Sequence, residues 1–581
     1  MVDCNIVRDT LLDLSNVSNI TVHADKHVGR RTYQCAFNCD LLIRGNAIAV
    51  IICVPDNWDR ELIHIYVKNL QAIPFMPHIE KDGKLCLFDL EGVLIDLNLP
   101  GILSQCVARA VHILDSGLYE DTSEEFVREF SSYWSYLPNL KSMKVSLPDK
   151  RQSKLLKYIW EIPGRRKKES YAQYVSQRKN VWIYASETED YFRLKNLNSQ
   201  QRNGLYCFIT STEFIIPPDF RKPLQVDYFN KLLSMMEPLK RSGEINKGLG
   251  SQVVVFNINQ PNGAETCIAI CFKNGKLENT SDGRFKICED KNFSLSPIYV
   301  VREDKAFLVR RTNGNLHKNK RILLIGCGSI GSYMCNELIK AGLEDITVVD
   351  MDTLKAENIY RHLLGMEYVG QYKAEALCKY FGKNIPNLNM KAVDEDIREL
   401  VEEGSVDLSE FDLIVSAIGD HNVNRWLNRE IQNRAIDTTV VYEWNEPLGI
   451  GCHVAVISRR NPGCYECFFK RDEDTGDLYD ATAYTAPGQN VTRNISGCGG
   501  SYIPYGAMVS LKTVAIGMDW IGRILDERCE DNYLISAKGE GYYFGQAGLC
   551  TSTVYMQQEK TIAIQRLSTL TEGNGCDVCR K

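Results

Sequence analysis

The sequence predicts a multidomain protein of mixed class: an N-terminal α+β module, a β-rich connector and a C-terminal doubly wound α/β domain. Three observations carry this. The chain has 581 residues, too many for a single hydrophobic core. Its strand signals change along the way, from short β-rich runs divided by turn residues to strands alternating with helical stretches after residue 321. Residues 321 to 338, "RILLIGCGSIGSYMCNEL", run an apolar strand into three glycines and then an amphipathic helix, as at the entry to a parallel sheet.

Residues 1–145 begin with a helix and continue through "RTYQCAFNCDLLIRGNAIAVIICVP", whose short β-rich pieces read as an antiparallel meander. "PFMPHIEKDGKLCLFDLEG" then places turn signals around one histidine and one cysteine, and "PGILSQCVARAVHILDSGL" reads as a helix entered at Pro100. In residues 146–315, strands such as "GLYCFIT", "SQVVVFNI", "TCIAICF" and "SPIYVVRE" are separated by Gly, Asn, Asp and Pro, which predicts the β-rich connector. Residues 316–581 alternate "RILLIG", "DITVVD", "FDLIVSAIG" and "AIDTTVVY" with helical stretches, which predicts a mostly parallel sheet.

Composition narrows the function classes. With 44% apolar and 24% charged residues and a net charge of -6, the chain is a globular protein without an electrostatic case for nucleic acid. Its longest apolar run, near "NAIAVIICVP", falls far short of the roughly 20 residues of a membrane span, and "MVDCNIVRDT" lacks an apolar signal core. The expected location is the cytoplasm, without a membrane partner. There the 21 cysteines are read as reduced, each one a metal ligand, a nucleophile or a small buried side chain.

Gly326, Gly328 and Gly331 have the G-x-G-x-x-G spacing that lets a backbone approach a phosphate. Alone, the pattern fits an NAD oxidoreductase as well as an ATP-using enzyme, and Asp350 follows at the interval of a ribose-binding acid. The next stretches add polar groups: Asp352, Asn358 and Arg361 in "VDMDTLKAENIYRHLLG", Lys373 in "VGQYKAEAL", and Asp420 ending "VSAIGD". Hydride transfer has little use for that much charge. Adenylation of a carboxylate does, because Arg and Lys hold a triphosphate and an Asp organises Mg²⁺.

In this order of motifs the sequence resembles the ThiF, MoeB and ubiquitin-activating enzyme superfamily, so a Rossmann-like adenylation domain is the expected fold of residues 316–581. The resemblance implies that Gly326, Gly328 and Gly331 approach ATP and that Asp350 takes its ribose. It further implies that Asn358, Arg361 and Lys373 hold the phosphates, with Asp352 in the same set, and that Asp420 holds Mg²⁺. Arg361 is expected to act in catalysis as well.

Two CxxC pairs, Cys464 with Cys467 and Cys576 with Cys579, offer four thiolates suited to a closed structural Zn²⁺ site. Many members of the resembled superfamily carry such pairs; a site without metal and a redox pair stay open. A thiol must also receive the activated carboxylate. "RNISGCGGSYIPYGAMVSLKTVAIGMDWI" puts Cys498 in a Gly-rich loop ahead of a helix, a setting that favours thiolate attack, with Cys452, Cys529 and Cys550 as other candidates. In the resembled family this region bears the transfer cysteine. In "PHIEKDGKLCLFDL", Cys86 follows a turn with His78 shortly upstream, an arrangement that resembles the prokaryotic ubiquitin-conjugating-like domain. That likeness implies a second thioester on Cys86; whether His78 polarises it, shapes its loop or does neither stays open, and Asp89 and Asp96 are unranked candidates to help an incoming lysine.

Taken whole, the chain resembles the fused activating and conjugating enzymes of bacterial antiphage operons, the CD-NTase-associated ubiquitin-transferase-like proteins of CBASS systems. The family implies ATP-dependent activation of the C-terminal carboxylate of a cGAS/DncV-like nucleotidyltransferase and its ligation to a target lysine. The superfamily also implies a homodimer. A sulfur-carrier adenylyltransferase of MoeB or ThiF type, an NAD oxidoreductase and a non-catalytic scaffold are the rival readings.

Overall fold

The computed structural model describes residues 2–88, 95, 97–148, 151–161, 182–195, 197, 200–239, 252–313, 320–385, 388–494, 501–570 and 576–579. The chain divides into two compact units, Met1–Asp304 and Lys305–Lys581. Among the described residues no helix is long and apolar enough to cross a membrane.

The first unit opens with helix α1 (Cys4–Asp13), capped by Asp3, whose carboxylate accepts the N–H of Asn5. An antiparallel sheet follows in the order β1 (Val17–Val22), β2 (Cys35–Ile43), β3 (Asn46–Val54), β4 (His64–Val67). Alternation along β2 buries Phe37, Cys39 and Leu41 on one face, where they pack with Cys106, Ala110 and Leu114 of α2 (Leu99–Tyr119). Helix α2 begins where expected: the Asn98 side chain accepts the N–H of Gly101, and Pro100 sits in the first turn, where its missing N–H is not needed. Two short helices, α3 (Ser123–Arg128) and α4 (Phe130–Ser135), lead out of the module.

The β-rich connector is a closed seven-stranded barrel built from β5 (Lys141–Ser146), β6 (Lys154–Glu161), β7 (Trp182–Ser186), β8 (Arg202–Thr210), β9 (Gln252–Asn259), β10 (Glu265–Asn279) and β11 (Phe285–Arg302). One apolar cluster draws on all seven strands, from Met143 and Val145 to Ile298, and fills the barrel. The opposite faces, with Leu205, Cys207 and Phe256, pack on α4 and on α5 (Val226–Met235) through Trp134, Phe229 and Leu232. Because β5 pairs with β7 and β11, the boundary expected at residue 145 falls inside a barrel strand. Its partners lie far along the chain and leave no local mark on its sequence.

The second unit is an eight-stranded sheet. The strands are β12 (Arg321–Ile325), β13 (Asp345–Val349), β14 (Asn389–Val393), β15 (Leu413–Ser416), β16 (Thr439–Asn445), β17 (Gly451–Ile457), β18 (Tyr533–Lys538) and β19 (Ile562–Arg566). Their spatial order is β14-β13-β12-β15-β16-β17-β18-β19. The first five are parallel and the last three antiparallel. Helices α6 (Ser329–Lys340), α7 (Lys373–Asn384), α8 (His421–Asn433) and α9 (Ala507–Leu525) accompany the sheet. Continuous apolar runs make the central strands, as burial on both faces requires: Ile322 and Leu324 belong to one core, Leu323 and Ile325 to the other. From β12 the chain moves to β13 on one side and later to β15 on the other, and ligands bind at the strand ends beside such a reversal.

Candidate functional site

The turn after β12 uses its three glycines in different ways. Gly326 has φ of +88°, a left-handed conformation natural to glycine, and a Cβ there would lie 2.9 Å from the Cα of Ile418. Gly331 passes so near the Gly326 carbonyl that a Cβ would lie 1.8 Å from its oxygen. At Gly328 a Cβ would meet nothing within 4 Å. Two of the glycines therefore build the turn, and the third faces open space where a ligand can approach the backbone.

Two side chains brace this turn. Asp350, at the end of β13, accepts the N–H of Cys327 at 2.6 Å on one oxygen and the N–H of Asp352 at 2.8 Å on the other. Burial raises its carboxyl pKa, against the opposing pull of Lys373 and the two N–H groups. His362 donates from Nε2 to the Cys327 carbonyl at 2.7 Å and accepts the Leu364 N–H on Nδ1 at 3.0 Å. That pattern fixes the neutral Nε2–H tautomer, and burial pushes the imidazole pKa down to about 4. The Cys327 side chain itself is buried.

Beside the turn lies a cleft of about 1370 Å³ whose walls include Asp352, Asn358, Arg361, Lys373, Arg493 and Tyr505. Lys373 Nζ pairs with Asp352 at 2.7 Å and stands 3.8 Å from Asp350. Arg361, by contrast, has no carboxylate partner among the described residues. Its Nη1 donates to the Ile503 carbonyl at 3.4 Å, and its guanidinium lies 5.2 Å from the centre of the Tyr505 ring. The Asn358 amide oxygen accepts the Lys355 N–H at 3.1 Å within its own turn. Asp420 caps α8, accepting the Asn422 N–H at 2.7 Å, and is not among the residues that line the cleft.

The expected transfer cysteine, Cys498, lies outside the described residues, as do Asp89 and Asp96. Its described flanks, Arg493–Asn494 and Ser501–Tyr502, pair as antiparallel strands, and Arg493 and Tyr502 both line the cleft. Of the other candidates, Cys452 is buried under α9, Cys529 is half-buried and Cys550 is exposed.

The two CxxC pairs meet. The sulfur atoms of Cys464, Cys467, Cys576 and Cys579 lie within 4.8 Å of one another, with Cys464 to Cys576 at 3.5 Å, Cys467 to Cys579 at 3.6 Å and Cys576 to Cys579 at 3.7 Å. A tetrahedron of thiolates around Zn²⁺ has edges of about 3.8 Å, so the donor set fits the ion in chemistry and in size. The Asn428 amide donates to the Cys464 sulfur at 3.4 Å, a supporting bond of the kind that orients metal ligands.

In the first unit, Cys86 is half-buried, and its N–H donates to the His78 carbonyl at 2.8 Å. The His78 ring is engaged elsewhere: Nδ1 is 2.7 Å from Glu129 and Nε2 is 3.4 Å from Glu125. The Glu129 hydrogen bond raises the His78 pKa against burial. His78 therefore shapes the Cys86 turn through its backbone, at a φ of +63° rare for a non-glycine residue, while two carboxylates hold its imidazole. Among the described residues, the side chain that reaches the thiol is that of Glu80, at 3.8 Å from Sγ. Burial, then the charges of Glu80 and Glu129, push the Cys86 pKa up to about 12.

Sequence reasoning missed Glu80, Glu129, Arg493 and Tyr505. The contact of Arg361 with Ile503 spans 142 residues, so no local motif announces it. Glu80 lay inside the segment already singled out around Cys86, but Asp82 and Asp89 stand nearer in sequence, so only the fold of the turn picks it out.

Comparison with known proteins gives the class. The ThiF family matches residues 309–526, and prokaryotic E2 family B matches residues 17–143. The chain is thus an ATP-dependent ubiquitin-transferase-like enzyme that joins an E1-like and an E2-like domain. More narrowly, it is Cap2-like. The ATP-dependent ubiquitin transferase-like protein Cap2 of Pseudomonas aeruginosa is 25% identical over 472 residues, 77% of this chain and 80% of that protein. The Vibrio cholerae protein of the same name is 27% identical over 256 residues, 40% of this chain and 41% of its own length. A crystal structure of E. coli MccB with ATP covers 47% of this chain and 70% of its own at 17% identity and a TM-score of 0.33, a likeness that bears no functional weight.

Three outcomes are expected from this geometry. Gly331→Ala should lower the melting temperature sharply because backbone must move, whereas Gly328→Ala should melt like wild type and lose ATP affinity in calorimetry. Metal analysis of the purified chain should find one zinc per chain, and Cys576→Ser should lose both the zinc and several degrees of melting temperature, given the roughly 10 kcal/mol or more such sites contribute to folding. His362 favours the fold above its ordinary pKa of 6.5 and loses that contribution as pH falls toward about 4. ATP affinity should decline over that window in wild type, with a smaller decline in His362→Asn.

Proposed function

We propose that this enzyme uses ATP to activate the C-terminal carboxylate of a partner protein, carries the acyl group through thioesters on Cys498 and then Cys86, and joins it to the ε-amine of a target lysine. The partner would be a cGAS/DncV-like nucleotidyltransferase, in CBASS antiphage defence, and the enzyme would act as a homodimer. The observation that carries this reading is the cleft beside the glycine turn, in which Arg361 stands without a carboxylate partner among the described residues and so keeps its charge for a phosphate.

Each step conserves atoms. A carboxylate oxygen of the partner attacks the α-phosphorus of ATP, and the bond to pyrophosphate breaks. Arg361 and Lys373 face the charge that develops there, and the backbone at Gly328 leaves room for the phosphates. Mg²⁺ carried by the ATP would neutralise phosphate charge; Asp420, which caps α8 and does not line the cleft, is given no part in holding it. The Cys498 thiolate then attacks the acyl carbon and AMP leaves. The Cys86 sulfur replaces Cys498, and the lysine nitrogen finally replaces Cys86, forming the amide. Because the Cys86 thiol has a raised pKa, its sulfur leaves well only if a proton reaches it. Glu80, 3.8 Å away, accepts a proton from the attacking amine and returns it to sulfur. A structural Zn²⁺ on Cys464, Cys467, Cys576 and Cys579 fits the same superfamily reading. A sulfur-carrier activator has no use for the E2-like domain at residues 17–143.

The test incubates the full chain with ATP, Mg²⁺ and a candidate nucleotidyltransferase, then runs non-reducing gels. Cys86→Ala and Cys498→Ala should each abolish conjugation, and only Cys86→Ala should leave a thiol-sensitive adduct on the enzyme. Conjugation that survives Cys86→Ala would sink the two-thioester route.

A further inference from the structure

Two cations in the nucleotide cleft are held in different ways. Lys373 has a carboxylate at 2.7 Å, whereas Arg361 rests against a tyrosine ring and a backbone carbonyl. A long arginine side chain with no anion beside it samples many rotamers, so something must aim it. We infer that Tyr505 is a positioning residue for adenylation: its ring seats the Arg361 guanidinium over the cleft, and its hydroxyl ties that seat to the glycine turn. The inference rests on the reading of this cleft as the ATP site.

The geometry supplies both halves. The guanidinium carbon lies 5.2 Å from the ring centre, within the range of a cation–π contact. The Tyr505 hydroxyl lies 2.9 Å from the hydroxyl of Ser329, the first residue of α6 and the neighbour of Gly328. The backbone beside the ring is held too, since the Leu448 N–H donates to the Pro504 carbonyl at 2.6 Å. The seat is therefore fixed to the same turn that a phosphate approaches. Its chemistry suits the task. A carboxylate in place of Tyr505 would neutralise Arg361 and compete with the ligand, whereas a π-face orients the cation weakly and yields to a charge-assisted bond from phosphate oxygen.

The experiment measures binding of ATP with Mg²⁺ and of adenosine to the full chain by calorimetry. The variants are Tyr505→Phe, Tyr505→Leu, Ser329→Ala, Arg361→Ala and the Arg361→Ala/Tyr505→Leu double variant. Tyr505→Leu should weaken ATP about fivefold, the scale of one cation–π contact, and leave adenosine binding unchanged. Tyr505→Phe keeps the ring and Ser329→Ala removes its tether, so each should weaken ATP by the same factor of roughly two. In the Arg361→Ala background, Tyr505→Leu should have no further effect, because its whole contribution passes through Arg361. A full Tyr505→Leu effect in that background, or a loss of adenosine binding, would mark a merely structural residue and overturn the inference. So would wild-type ATP affinity in both Tyr505 variants while Arg361→Ala is impaired. If Arg361→Ala itself binds ATP normally, the reading of the cleft fails first and takes this inference with it.

Discussion

The approach of Gly331 to the Gly326 carbonyl is the contact on which the second unit's chemistry depends. It lets α6 start hard against the end of β12, and no residue with a Cβ can stand there without moving backbone. Once the helix is seated, the Cys327 N–H faces Asp350 and the Cys327 carbonyl faces His362. The turn is thus pinned by one acceptor and one donor from different stretches of chain. Ser329 is carried along to the point where Tyr505 meets it.

The same placement explains how charge is arranged around the cleft. Lys373 is nearly buried, while the Asp352 carboxylate that it meets is 63% exposed. With one member open to water, the pair is weaker than a fully buried one and yields to several charge-assisted bonds from a phosphate of the proposed ligand. Lys373 is therefore parked on a partner it can leave, and Arg361 on a ring it can leave more easily still. Asp350 differs because both of its oxygens serve the backbone of the turn, which makes it a brace.

Much of this was legible in the sequence because it is local or periodic. The glycine spacing, the continuous apolar strands and the Asn98–Pro100 helix start each have their cause within a few residues. The two CxxC pairs were legible for another reason: four thiols in that pattern announce one another even though Cys464 and Cys576 are 112 residues apart. What escaped were contacts between side chains of ordinary type far apart in sequence. Tyr505 under Arg361 is an unremarked tyrosine until the fold brings it there. His78 meets the Cys86 turn through its backbone carbonyl, but its ring is claimed by Glu125 and Glu129 from helices whose packing the sequence does not spell out.

Glu80 and Glu129 bear on what kind of thioester carrier Cys86 would be in the proposed relay. Beside Glu80 and Glu129, in a half-buried site, a thiolate is disfavoured, but a thioester carries no charge and suffers neither desolvation nor repulsion. The site therefore favours the acyl-bearing sulfur over the free thiolate. The cost falls on departure, since a sulfur with so high a pKa is a poor leaving group unless protonated. An approaching lysine brings the missing proton and is itself drawn by the nearby negative charge. Discharge is then tied to arrival of an amine, whereas water, uncharged and a weaker nucleophile, gains less from the same carboxylates. In the relay proposed above, a carrier built this way would hold its acyl group until a lysine is present, which is what the last step of an amide-forming relay requires.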